Sequence, residues 1–286
     1  MCDTCGCGAT DVRVVDPGTG AVTHTHDGVT HTHEAGELGH AVPEPHSHDG
    51  GRTFHTHDEV PAAAEAPAHS HGTTTVELEL DVLGKNNALA GETRAWLAAR
   101  DLVAVNLMSS PGSGKTTLLE RTIRETAGRP VVVVEGDQET LLDAERIRAA
   151  GARAVQVNTG AGCHLDAEML RTALDSLAPE NGSLVMVENV GNLVCPALFD
   201  LGEQARVVVI SVTEGDDKPL KYPHMFFAAD LVVLNKTDLL PYVDFDVEAL
   251  TAHARALRPG VRVLPVSART GEGLDAWYTW LAELSA

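Results

Sequence analysis

Basic residues, aromatic residues and long apolar runs are all scarce in this 286-residue chain. Only 21 Lys and Arg stand against 41 Asp and Glu, a net charge of -20 with histidine neutral. Nothing in that balance would neutralise phosphates along a groove, which excludes nucleic acid as an expected partner. No stretch of about 18 apolar residues occurs, and no basic segment leads into an apolar one at the N-terminus. The sequence therefore predicts no membrane span and no export, but a cytoplasmic protein. Cysteine is sparse too: there are five, three of them crowded into Cys2, Cys5 and Cys7. That is a poor disulfide framework for a chain of this length and reads as reduced thiols. Aromatics make up only 4%, yet the hydrophobic fraction of 43% is enough for a packed core.

What the chain has in plenty, at its start, is histidine. Between residues 10 and 75 lie Gly, Pro, Thr, Asp and Glu, a single aromatic (Phe54), and eleven histidines that include five His-x-His pairs. Such a composition cannot bury enough apolar surface to offset its ordering entropy, and residues 1–75 are expected to be a disordered, metal-binding tail. Spread along a flexible chain, the histidines are expected to buffer several weakly held ions rather than build one defined site. Cys2, Cys5 and Cys7 form a C-x-x-C-x-C cluster of soft donors, to which the N-terminal amine could add a fourth, compatible with Ni²⁺ or Zn²⁺.

From Val76 to the C-terminus the pattern changes to that of one domain. A short alternating run, Val76 to Leu80, precedes a helical stretch through Leu97. Apolar runs then alternate with amphipathic helices. Strands are expected at 102–108, 131–135, 154–157, 184–188, 207–212, 231–235 and 261–266. Helices are expected at 114–126, 140–150, 167–177, 247–257 and 274–284. Continuous Val/Ile/Leu runs separated by helices predict an α/β fold, a mostly parallel sheet covered on both faces. Ligands should then sit at the carboxyl ends of its strands.

The first of those strands runs into Ser109-Ser110-Pro111-Gly112-Ser113-Gly114-Lys115-Thr116-Thr117 and then into a helix, the context of a phosphate-binding P-loop. Backbone N–H groups of Gly112, Ser113, Gly114 and Thr117 would cradle phosphates, Lys115 would reach the β/γ-phosphates and Thr116 would ligate Mg²⁺. The usual first glycine is replaced by Ser109. Asn235-Lys236-Thr237-Asp238 follows another strand and resembles the guanine-reading N-K-x-D of GTPases. Asp238 would accept from guanine N1–H and N2–H₂, which adenine cannot offer, a discrimination of about 10⁴-fold. Ser267-Ala268 resembles the loop whose amide meets guanine O6. Asp137 and Glu188 both follow strands and fit a hard Mg²⁺ ion, directly or through water. They and Lys115 are the catalytic candidates. No glutamine follows Gly191 to orient a water, so unaided hydrolysis should be slow, on the order of 10⁻⁴ to 10⁻² s⁻¹.

Two further cysteines lie in the domain. Cys163-His164 occupies a glycine-rich loop before a helix, and Cys195 lies just beyond the Glu188-Asn189-Val190-Gly191 element. A thiolate beside an imidazole suits a transition metal, and an incomplete ligand set from one chain could be finished by a second copy in a dimer. His224 and His253 read as structural or solvated.

Taken in order, Ser110 to Thr117, Glu135-Gly136-Asp137, Gly162-Cys163-His164-Leu165, Glu188 to Pro196 and Asp217-Lys218-Pro219-Leu220-Lys221-Tyr222-Pro223 resemble the HypB family of nickel-inserting GTPases for [NiFe]-hydrogenase. The resemblance covers about residue 85 to the C-terminus and the N-terminal cysteine motif. It implies a SIMIBI-class P-loop G domain with GTP/GDP, Mg²⁺, Ni²⁺ and Zn²⁺ as ligands, and a homodimer formed on binding GTP. It further implies metal ligands at Cys163, His164 and Cys195, a high-affinity nickel motif at Cys2, Cys5 and Cys7, and as partners a HypA-like nickel chaperone and the hydrogenase large-subunit precursor. Ser110 stands where the related MinD-like ATPases carry an extra lysine, and Lys218 and Lys221 are candidates to act across the dimer instead. Three rival readings remain at this level: a UreG-like GTPase for another nickel enzyme such as urease, a nickel storage or buffering protein, and an ATP-driven partitioning or transport ATPase, which Asn235 to Asp238 disfavours.

Overall fold

A computed structural model describes residues 12–15, 22–26, 29–33, 73–126, 128–137, 142–159 and 162–284, with the side chains from residue 81 onward save Asp137 and Leu142. Cys2, Cys5 and Cys7 lie outside the described residues.

Seven parallel strands form the body of the sheet: β4 (Val103–Ser109), β5 (Val131–Asp137), β6 (Arg153–Asn158), β7 (Leu184–Gly191), β8 (Ala205–Ser211), β9 (Leu231–Asn235) and β10 (Arg262–Pro265). Their order is β10-β9-β8-β4-β7-β5-β6. The chain leaves central β4 towards β5 and β6, returns through β7 and then builds the other half, so the switch point lies at the carboxyl end of β4. That is where an open parallel sheet leaves a crevice for a ligand. This is the P-loop α/β fold that the sequence predicts.

Because successive strand residues point to opposite faces, β4 feeds two separate cores. Val103, Val105 and Leu107 pack with Leu118 and Leu119 of α2 (Lys115–Glu125), Ile147 of α3 (Leu142–Ala149) and Trp277, Trp280 and Leu281 of α8 (Leu274–Glu283). Ala104 faces the other way, with Val132, Val134, Val185 and Val187, onto Leu170, Leu174 and Leu177 of α4 (Ala167–Leu177) and Leu97 of α1 (Thr73–Ala98). A third cluster lies under Met225 and Phe226 of α6 (Pro223–Ala228) and Leu250 of α7 (Val247–Leu257). Asp166 and Asp246 cap α4 and α7 by accepting backbone N–H bonds. Among the described residues no helix is long and apolar enough to cross a membrane.

Three differences from the expected elements have local causes. The run from Val76 to Leu80 belongs to α1, which starts at Thr73, so the expected boundary at 76 falls inside a helix. Leu and Glu favour a helix as readily as their alternation suggests a strand. Two short helices, α5 (Lys218–Lys221) and α6, were not expected, since each spans under two turns and begins beside a proline. Within residues 1–75, expected to be a disordered metal-binding tail, three short strands are described, β1 (Val12–Val15), β2 (Val22–His26) and β3 (Val29–His33), with β1 antiparallel to β6 at the sheet edge. Val and Thr favour strands, and an open edge offers main-chain hydrogen bonds without demanding apolar side chains.

Helix α8 is fastened to α2 by Trp277, which is fully buried and donates from Nε1 to Thr122 Oγ1 at 2.9 Å. Trp277→Ala should lower unfolding stability by about 3–5 kcal/mol, measured by urea titration monitored through helical circular dichroism. A loss below about 1 kcal/mol would show that α8 is a loosely held appendage.

Candidate nucleotide and metal site

The loop after β4 turns into α2 through two left-handed glycines, Gly112 (φ 77°) and Gly114 (φ 96°). A Cβ on Gly114 would stand 2.5 Å from Asn235 Nδ2, so no other residue fits there. The N-K-x-D segment braces this loop: Asn235 Nδ2 donates to the Ser113 carbonyl at 2.9 Å, and Lys236 Nζ donates to the Gly112 carbonyl at 2.6 Å. Lys236 itself adopts a left-handed backbone (φ 63°), a costly conformation for a non-glycine that carries its stem over the loop. Lys115 is buried and donates from Nζ to Ser109 Oγ at 2.6 Å. Ser109, in place of the usual glycine, thus gives the lysine an acceptor.

A cleft of about 570 Å³ opens in front of this loop, lined also by Glu135, Gly136, Asp143, Arg146, Lys236 and residues 188–191. A smaller one of about 290 Å³ adjoins it between Gly114, Thr117, Asn235, Asp238 and Ala268. The first has the position for phosphates and the second for a base. In the second, Asp238 Oδ1 accepts from Ser267 Oγ at 2.6 Å, which aims the carboxylate. The Ala268 N–H, expected to face guanine O6, donates to Asn235 Oδ1 at 3.0 Å. Arg146 had no signal in the sequence. It comes from α3, held by Asp143 at 2.8 Å and Glu120 at 3.1 Å, and sets a guanidinium at the rim of the phosphate cleft.

Glu188, near the end of β7, is buried, and its Oε1 accepts from Thr116 Oγ1 at 2.8 Å. Burial pushes its carboxyl up to about 7, against the lowering effects of nearby Lys115 and the Thr116 hydroxyl. Its Oε2 is buried with no hydrogen-bond partner. An orphaned carboxylate oxygen beside a threonine hydroxyl is a donor set that fits Mg²⁺. Of Asp137 only the backbone is described, as the last residue of β5.

The ligand atoms of Cys163, His164 and Cys195 lie within 4.8 Å of one another, although the sequence separates the first two from the third by a strand and a helix. Cys163 Sγ is 3.6 Å from His164 Nδ1. Burial lowers His164 to about 4, which keeps the imidazole in the neutral, metal-ligating form. Its ring stacks on Phe199, centroids 3.8 Å apart, an orienting contact that nothing in the sequence signalled. Three donors leave a tetrahedral set one short.

One segment, Glu188 to Cys195, touches both sites. Asn189 Oδ1 accepts from the Leu165 N–H, adjacent to His164, at 3.2 Å. Asn192 Nδ2 donates to the Cys163 carbonyl at 3.3 Å and its Oδ1 accepts from Val194 N–H at 2.8 Å. Gly191 runs so close to the P-loop that a Cβ there would lie 3.1 Å from Pro111 Cγ. Ser110, behind the loop, bonds Glu214, and Glu214 pairs with Lys218 at 3.6 Å, while Lys221 pairs with Asp217 at 2.6 Å. His224 is exposed, and His253 Nδ1 lies 3.4 Å from the Asp216 carbonyl.

Glu188 also sets the sign of a pH effect. The folded chain keeps a proton that the unfolded chain releases near 4.5, so without nucleotide or metal the stability should fall as pH rises from about 4.5 to about 7. The loss should be about 3 kcal/mol. Urea titrations in chelator at pH 5 and 8 check this, and Glu188→Gln should flatten the dependence. An unchanged slope in that variant would contradict the assignment.

The signature of the CobW/HypB/UreG nucleotide-binding domain matches residues 103–265. The hydrogenase maturation factor HypB of Azotobacter chroococcum is 59% identical over 223 residues, 77% of this chain and 72% of that protein. HypB of Escherichia coli K12 is 48% identical over 98% of both chains. HypB of Helicobacter pylori, solved in complex with nickel, superposes with a TM-score of 0.68 at 39% identity, covering 70% of this chain and 95% of that one. With the signature spanning the whole nucleotide-binding sheet and relatives matching nearly end to end, this chain belongs to the HypB family of hydrogenase maturation factors.

Proposed function

We propose that this chain is a GTP-hydrolysing nickel metallochaperone of [NiFe]-hydrogenase maturation, in which GTP binding, dimerisation and metal binding are coupled. The observation that carries the reading is the continuity of Glu188 to Cys195, with the Thr116 hydroxyl at one end and a metal-binding thiol at the other.

In this account GTP lies with its base between Asn235, Asp238 and Ala268 and its phosphates against Gly112 to Thr117. The Asp238 carboxylate, aimed by Ser267, selects guanine over adenine. Water attacks the γ-phosphorus, the bond to the bridging oxygen breaks, and GDP and phosphate leave. Thr116 and Glu188, with Asp137, would hold Mg²⁺, which when bound offsets phosphate charge. Lys115 and Arg146 add fixed positive charge at the cleft. No glutamine follows Gly191, and the amide of Asn192 is bonded to Cys163 and Val194 rather than held towards the phosphates, consistent with slow turnover.

Nickel is the cargo. Cys163, His164 and Cys195 supply three donors, and a second copy of the chain would complete the set when GTP brings two copies together. The same site takes Zn²⁺, which shares its preference for thiolate and imidazole. Delivery then goes to a HypA-like chaperone and the hydrogenase large-subunit precursor, with Cys2, Cys5 and Cys7 as the capture site.

Coupling of this kind is reciprocal and typically 5–150-fold. Nickel affinity, measured by competition with a chromophoric chelator, should therefore differ at least fivefold between the GDP and GTP-analogue states. Equal affinity would refute the coupling. Lys115→Ala separates the storage reading: it should abolish maturation while nickel binding by the tail persists, whereas a storage protein would lose nothing.

A further inference from the structure

Asn86, on α1, is 5% exposed. Its amide makes two hydrogen bonds to main chain far away in sequence: Oδ1 accepts from the Ala167 N–H at 3.0 Å, and Nδ2 donates to the Asp200 carbonyl at 2.8 Å. Ala167 is the first residue of α4 and lies just beyond His164 and Leu165. Asp200 directly follows Phe199, whose ring stacks on the His164 imidazole with centroids 3.8 Å apart. One side chain therefore holds both the segment that carries the metal-binding histidine and the segment that carries the ring against it.

We propose that Asn86 is a positioning residue for the nickel site, acting on His164 through Ala167 on one side and through Asp200 and Phe199 on the other. The inference rests on the reading of Cys163, His164 and Cys195 as that site. A side-chain amide supplies a donor and an acceptor on separate atoms of one short branch, which is what an N–H on one side and a carbonyl on the other demand. The Ala167 N–H is one of the orphan donors at the start of a helix. Asp166 takes the Met169 N–H at 2.8 Å and leaves that of Ala167 to Asn86.

The Asp200 segment is seated on α1 at two further points. Both carboxylate oxygens of Asp200 accept from Arg94 Nη2 at 2.8 Å. Gly202, with a left-handed φ of 85°, comes so close that a Cβ there would stand 2.5 Å from the Ala90 carbonyl oxygen. Phe199 cannot withdraw from the imidazole without disturbing this seat. Outer partners that fix the orientation of a ligating imidazole are worth about 10–100-fold in metal affinity. The metal site is thus braced from the helix that joins the N-terminal segment to the sheet.

The test uses the full chain with Cys2, Cys5 and Cys7 replaced by serine, and nickel as the probe at about pH 8. Of the five cysteines only Cys163 and Cys195 then remain, so the near-ultraviolet thiolate-to-nickel charge-transfer band reports this site and is blind to histidines elsewhere. Asn86→Asp keeps the acceptor for Ala167 and loses the donor to Asp200. It should weaken nickel at this site about tenfold, read from the band in competition with a chelator. GDP affinity, measured separately, should stay within about twofold, because Asn86 lines neither nucleotide cleft. In a Phe199→Leu background, where the stack is already lost, the same substitution should cost less than about threefold, a non-additivity that a merely structural residue would not show. A nickel affinity unchanged by Asn86→Asp, a loss undiminished beside Phe199→Leu, or a parallel loss of GDP affinity would overturn the proposal alone. A parent chain without the thiolate band would overturn the metal-site reading, and the proposal with it.

Discussion

The buried hydrogen bond from Thr116 to Glu188, 2.8 Å long, is the contact through which the rest of the site is organised. It joins the first turn of α2 to the end of β7, whose continuation carries Cys195. Burial of an acidic group is tolerated only with a compensating partner, and here one oxygen has the threonine while the other has none. The folded protein therefore holds a carboxyl oxygen that a bound cation would satisfy. An element at the junction of two ligand sites is the kind of component that a nucleotide can shift.

From that contact the two sites are connected through amides rather than charges. Asn189 links the strand end to the backbone beside His164, and Asn192 links it to the backbone of Cys163. Asn189 is anchored in turn by Asn106 in β4, which receives its Nδ2 at 3.2 Å. Such side chains have few alternatives when buried, so a displacement at Glu188 has to be passed on or its bonds broken. The Phe199 stack then fixes the imidazole ring without constraining the thiols. The metal set is left one donor short of a tetrahedral site, the place that a second chain would fill under the proposed function.

Much of this was legible in the sequence because the chemistry demands contiguous residues. The P-loop, the N-K-x-D element and the seven core strands are local patterns, and β9, α4 and α7 agree to the residue with their expected spans. The residue types at Cys163, His164 and Cys195 suggested metal binding, but their coming together as one set was implied by the family resemblance, since 30 residues of strand, helix and loop lie between His164 and Cys195. Arg146 and Phe199 carried no signal, because an arginine on a helix and a phenylalanine in a loop are ordinary until packing gives them neighbours. The Ala268 amide shows the converse: the residue was identified, but its bond to Asn235 depends on two loops meeting.

The central claim is that residues 188–195 transmit the nucleotide state to the metal ligands. Asn189→Ala tests it most directly, since the variant keeps Lys115, Thr116, Glu188 and all three metal ligands while removing the bond to Leu165. The quantity to measure is the ratio of nickel affinities in the GTP-analogue and GDP states. The account predicts that this ratio falls towards one in the variant while the GDP-state affinity stays within about threefold of the parent, a change under 1 kcal/mol. A ratio as large as that of the unaltered chain would contradict it.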